Sequence, residues 1–170
     1  MAVLVGDTSG VVSLGVAAGE PADPLDLCLD AYDVVIPEVV RDELEELTSY
    51  DDAHATGAAA VLARTDSLEI RSVDLDSEFP LDAGENAAVT LANDLDAGLL
   101  LCDEFNRLGL IHASLADSRL VTTPPLLSVF VRQGRLGADE ALEILDPISD
   151  ARSWEANSYV QRARTRLSNS

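Results

Sequence analysis

Lysine is missing from the 170 residues, so all 11 basic side chains are arginine, set against 31 acids for a formal net charge of −20. Cysteine is scarce: Cys28 and Cys102 alone can build neither a disulfide framework nor a zinc cluster, and both read as buried free thiols. Aromatics are only 4% of a chain that is 47% hydrophobic, so valine, leucine and alanine must fill the core. No stretch reaches the ~18 consecutive apolar residues of a membrane span. The opening "MAVLVGDTSGVV" has no basic n-region, and Asp7 interrupts its apolar run. These features predict a cytoplasmic protein without a membrane segment.

The acidity has a further consequence. A surface so negative repels a phosphate backbone at low salt, but in molar salt the Debye length falls to about 3 Å and the repulsion is largely screened. An acid-rich, lysine-free yet apolar-rich chain fits a halophilic cytosol. Halophilic acids are spread everywhere, so an acid points to function only where its placement is special.

Short apolar runs alternate with helical patterns. "VLV", "DVVIP", "LEIRSV", "LLLC" and "RLVTT" read as strands, separated by helices such as "PEVVRDELEEL" and Ala83–Asp96. Such alternation predicts an α/β fold with a mostly parallel sheet covered on both faces. "PISDARS" suggests a boundary, dividing a main domain at 1–148 from a C-terminal helix or tail at 149–170 that carries Arg162, Arg164 and Arg166. That helix reads either as a docked, solvated element or as a basic arm that contacts a ligand.

Four acids are placed rather than scattered. In open α/β sheets ligands bind beyond the carboxyl ends of strands, where Asp7 and Asp103 stand; helix capping accounts for either one alone. In the helix after Pro37, residues Val39, Val40, Leu44 and Leu47 define an apolar arc roughly 140° wide. Glu43 falls inside this arc while Asp42, Glu45 and Glu46 fall outside it. Glu85 likewise shares a side with Ala88, Val89 and Ala92, although Asp82 three residues earlier would form a capping box with it. If the four meet, two carboxylates about 5 Å apart repel by about 3 kcal/mol at an effective dielectric near 20. Some must then protonate or share a cation. Oxygen-only ligands suit Mg²⁺ or Mn²⁺ rather than Zn²⁺, whereas His54 and His112 read as isolated surface or packing residues.

The order of these motifs resembles the PIN-domain ribonucleases, VapC-like toxins of prokaryotic toxin–antitoxin pairs. "VLVGDTSG" is similar to that family's first strand and acid, "VVIPEVVRDELEEL" to the strand, proline and helix bearing the second acid, and "LDAGENAAVTLA" to a Gly-Glu variant of the third motif. "LLLCDEFNR" resembles the strand ending in the fourth acid, and "RLVTTPPLLSVF" the last short strand with its threonine. The likeness spans about residues 2 to 146. Ala87 stands where a further Glu is common, Glu104 where a second Asp is frequent, and Thr122 where glycine is usual.

The resemblance implies a PIN-like three-layer α/β/α sandwich with a central parallel sheet. It implies metal-dependent endonucleolytic cleavage of single-stranded RNA, with Asp7, Glu43, Glu85 and Asp103 catalytic. Asp7, Glu85 and Asp103 would hold Mg²⁺ or Mn²⁺, while Thr8, Ser9, Arg107 and Thr123 would contact substrate. It also implies a homodimer and an antitoxin partner. Receiver domains and haloacid-dehalogenase-type phosphotransferases also place an Asp after their first strand. They normally need a lysine, and Asp7 is followed here by Thr8-Ser9 rather than completing an Asp-x-Asp. The remaining alternative is a PIN-like scaffold of weak catalysis that binds RNA or protein.

Overall fold

The computed structural model describes residues 1–169. Five strands form one sheet in the order β3-β2-β1-β4-β5, every neighbouring pair parallel. They are β1 (Val3–Gly6), β2 (Asp33–Pro37), β3 (Glu69–Arg71), β4 (Leu99–Leu101) and β5 (Arg119–Val121). The helices are α1 (Thr8–Val16), α2 (Pro24–Ala31), α3 (Glu38–Leu47), α4 (Ala53–Leu62), α5 (Ala83–Leu95), α6 (Leu108–Ser114), α7 (Thr123–Arg132), α8 (Ala138–Arg152) and α9 (Ser158–Ser168). This is the α/β sandwich that the alternating pattern predicts.

Parallel strands need covering on both faces, and the apolar side chains divide accordingly. Leu4, Val34, Ile36 and Leu101 join the core beneath α1–α4 and α7–α9. Val5, Val35, Leu100 and Cys102 point the other way, against Ala88, Val89 and Ala92 of α5 and Ile111 of α6. The scarcity of aromatics is met by close backbone approach. A Cβ on Gly15 of α1 would strike the backbone of Gly57 in α4, so this pair lets the two helices touch where larger residues would hold them apart.

The strand order reverses direction at β1, with β2 on one side and β4 on the other. Such a switch point opens a crevice beyond the carboxyl ends of the strands. There the Asp7 amide donates to the Leu101 carbonyl at 2.9 Å, holding the exit of β1 beside that of β4.

The boundary expected at 148 falls inside α8, which runs to Arg152 despite Pro147. Proline removes one helical N–H, and the carbonyl it leaves unpaired belongs to exposed Glu143, where water can take the missing bond. The last helix begins at Ser158, and Trp154, Val160 and Leu167 are part of the same core as Leu4 and Ile36. Among the described residues no helix is long and apolar enough to cross a membrane.

Candidate active site

Asp7 holds the N-cap position of α1, yet its side chain makes no capping bond. Its carboxylate instead accepts from Ser9 Oγ at 2.9 Å and from Cys102 Sγ at 3.4 Å, and it is 4% exposed. Burial raises its pKa from 3.8 to about 6. Hydrogen bonds from Ser9, Cys102 and the Thr8 backbone offset part of that rise, and the nearby charge of Glu43 adds to it. A helix cap needs none of this, because a cap is best when ionised and exposed.

Glu43 is half-buried on α3 while Asp42, Glu45 and Glu46 are exposed, as the apolar arc predicts. Thr8 Oγ1 donates to Glu43 Oε1 at 2.5 Å, bridging α1 to α3. The Glu43 carboxylate also lies against the Cα of Gly84, where a Cβ would collide with it. Glycine in the "AGEN" turn therefore admits the second acid to the third. Burial again raises the Glu43 pKa, reinforced by the charges of Asp82, Glu46 and Glu85 and opposed by the bond from Thr8.

Glu85 is 4% exposed and does two things at once. It completes a capping box, with the Glu85 amide donating to Asp82 Oδ1 at 2.8 Å and the Asp82 amide reaching back to Glu85 Oε1 at 3.4 Å. The same Oε1 accepts from Arg107 Nε at 2.7 Å. The box and the inward aim, which the sequence sets against each other, coexist. Arg107 arrives from the short 3-10 turn Phe105–Arg107 that follows β4, and its guanidinium also donates to the Pro80 carbonyl.

Asp103 follows β4 at the crevice but is turned inward. It is 2% exposed, and both oxygens are taken by Thr123, from the amide at 2.7 Å and from Oγ1 at 2.6 Å. Burial raises its pKa, while the Thr123 bonds lower it in part. Its amide donates to Ser9 Oγ at 2.9 Å, so one hydroxyl joins Asp7 to the Asp103 backbone. Thr123 is fully buried and serves this latch, tying β4 to the start of α7.

A cleft of about 660 Å³ opens at this end of the sheet. Its acids are Asp7, Glu43, Glu46, Asp82, Glu85 and Glu104; Asp103 lies beneath it rather than in its wall. Thr8 and Ser9 line it as well, together with Tyr50, His54 and Arg152. Sequence reasoning treated Asp82 only as a cap and Glu104 only as a departure in a motif, and it left Tyr50, His54 and Arg152 outside the site. The capping pattern was a signal for Asp82; none pointed to Arg152, which reaches the cleft only because α8 packs back along α1. Two other arginines near the motifs lie elsewhere. Arg41 bonds its exposed neighbour Asp42, and Arg119 opens β5 opposite Leu99, at the amino end of the sheet.

Among the described residues no three His, Cys, Asp or Glu side chains converge closely enough to hold a metal ion together. The donor chemistry nevertheless suits a hard cation. Mg²⁺ keeps several waters and is commonly held by one or two carboxylates plus a substrate phosphate. Asp7 and Glu43, both with raised pKa and the charge of Glu43 acting on Asp7, would be the residues to hold it.

No curated protein sequence matches the chain. A family model described as DUF3368, a PIN domain, matches residues 4–169, which takes in α9 and all five strands apart from the first residue of β1. PIN domains are generally nucleases, and a match over nearly the whole chain, with the acidic cleft at the switch point, makes this protein a member of the PIN-domain family.

Proposed function

We propose that the protein is a Mg²⁺- or Mn²⁺-dependent endoribonuclease acting on single-stranded RNA. One observation carries the reading most: Asp7, at the exit of β1, is buried in the cleft, caps nothing, and has its pKa raised to about 6 beside Glu43. A carboxylate kept in so unfavourable a place is accounted for by a cation that binds there. When bound, that cation would supply Lewis-acid and nucleophile-generating chemistry for phosphodiester hydrolysis.

The residues then divide the work. Asp7 and Glu43 would hold the cation, Glu43 fixed by the Thr8 hydroxyl and by its seat on Gly84. Glu85 would join them through the oxygen that Arg107 leaves free, and Arg107 would turn towards a phosphate when substrate enters. Ser9 aims Asp7, and Asp103 positions Ser9 through its backbone amide. Glu104 and Asp82, both in the wall, would orient water. A homodimer, and an antitoxin that covers this cleft, are further parts of the proposal.

A second reading has its own support. Because Glu85 is already paired with Arg107 and Asp103 with Thr123, the fold could serve as a catalytically weak module that binds RNA or protein. Cleavage of single-stranded RNA in high salt with Mn²⁺ or Mg²⁺ separates the two. Parent activity that is lost in Asp7→Asn and Glu85→Gln supports the nuclease. Equal activity in parent and variants sinks the assigned site, and RNA binding without cleavage favours the module.

A further inference from the structure

An acidic cleft explains a cation but not how a polyanion is gripped. Residues 156–170 contain three arginines and no acid, in a chain whose net charge is −20. Helix α9 buries Val160, Ala163 and Leu167. Tyr159, Arg162 and Arg166, spaced i, i+3 and i+7, are exposed and share a different face. Arg164 lies off this stripe and is engaged with Asp146 at 2.7 Å.

The stripe begins at the cleft margin. The Tyr159 ring stacks on Phe105, with centroids 6.0 Å apart and planes 15° from parallel, yet remains 55% exposed. Phe105 follows the cleft residue Glu104 and meets Trp154 edge-on at 5.1 Å. Trp154 follows the cleft residue Ser153 and lies 5.9 Å under the guanidinium of Arg152, which also lines the cleft. Of three tyrosines, the two largely exposed ones thus stand near this cleft, Tyr50 lining it and Tyr159 reaching it through Phe105.

We infer that the Tyr159–Arg162–Arg166 stripe, continued by Arg152, is the track along which single-stranded nucleic acid reaches the cleft. Tyr159 stacks on a base, and Arg162 and Arg166 face phosphates. The inference rests on the nuclease reading and adds to it the place where substrate is held. Base stacking suits this chain because it is uncharged and tolerant of sequence; it persists at salt concentrations that screen arginine–phosphate attraction. A duplex hides its base faces, so the track selects single strands.

The test uses the full chain in EDTA, where binding is read without turnover. Fluorescence anisotropy with a labelled oligouridine is compared with an abasic strand and a duplex of equal length. Tyr159→Ala weakens oligouridine binding by about 5- to 100-fold, Tyr159→Phe restores it, and the abasic strand distinguishes neither. Arg162→Ala with Arg166→Ala lowers the slope of log affinity against log salt by roughly 0.7 for each phosphate that is no longer neutralised. Arg162→Glu weakens binding further. Unchanged affinity and slope in all variants, or an equal loss on the abasic strand, overturns the track. So does a change in sedimentation with oligouridine binding intact, which would make the stripe a protein-binding face. If Asp7→Asn abolishes cleavage while the α9 variants bind normally, the track fails and the nuclease stands. If the parent cleaves nothing while the α9 variants lose binding, the nuclease fails and the track stands.

Discussion

Arg107 Nε lies 2.7 Å from Glu85 Oε1, so the acid at the start of α5 is neutralised by an arginine from the turn after β4. The pair joins two elements that the chain separates by 22 residues. It also sets a positive charge beside the acid, leaving only its second oxygen to a cation. Arg107→Ala should therefore lower the melting temperature of the cation-free protein and increase the stabilisation that Mn²⁺ confers. Thermal melts across a Mn²⁺ titration check this; an unchanged Mn²⁺ response would mean that Arg107 and the cation do not compete.

Asp7 sets a pH dependence of definite sign. Its folded pKa of about 6 exceeds its ordinary 3.8, so the folded state binds the extra proton between those values. The stability it contributes is fully present below about 3.8 and is lost as pH rises through about 6. The loss amounts to about 3 kcal/mol at most. In EDTA, denaturant unfolding of Asp7→Asn should lack this decline and exceed the parent in stability at neutral pH. With Mn²⁺ the order should narrow, because the parent gains a ligand. Parallel pH profiles for the two proteins would count against a strained Asp7.

Gly84→Ala separates placement of Glu43 from stability. The added Cβ meets the far end of a flexible carboxylate rather than backbone, so Glu43 swings away at little cost. Alanine also gains up to about 1 kcal/mol in helix propensity over glycine. The variant should melt near the parent while its RNA cleavage falls by about tenfold or more, on the scale of a misplaced catalytic group. Full activity would show that Glu43 acts without its seat on Gly84.

Thr123→Val tests the latch. It removes the hydroxyl bond at 2.6 Å and leaves a fully buried Asp103 oxygen unsatisfied. The expected cost is about 1–3 kcal/mol, seen as a lower denaturant midpoint at unchanged slope. A neutral result would mean that the Thr123 hydroxyl does not contribute to the latch.

Much of this was legible along the chain because it depends on periodicity. Val40 and Leu44 on one side of Glu43, with Asp42 and Glu46 on the other, follow from a step of about 100° per residue. The strands were visible as apolar runs closed by Asp7, Pro37 and Asp103, and the short reach of β3 at the sheet edge was not. One local signal misled: "LDAGE" suggested a choice between cap and inward acid that the fold does not make.

What the sequence alone determined is the layered α/β fold, the identity of the acids at strand ends and on apolar faces, and the lysine-free acidic surface. These depend on neighbours within a few residues, where backbone geometry dictates which way a side chain points. Only the tertiary structure decided that Asp103 is latched by Thr123 beneath the cleft, that Glu104 lines it instead, that Arg107 pairs with Glu85, and that Tyr159 and Arg152 stand at its margin. Those interactions join residues 20 or more positions apart, and which of several acids meets which donor depends on how whole helices pack across the end of the sheet.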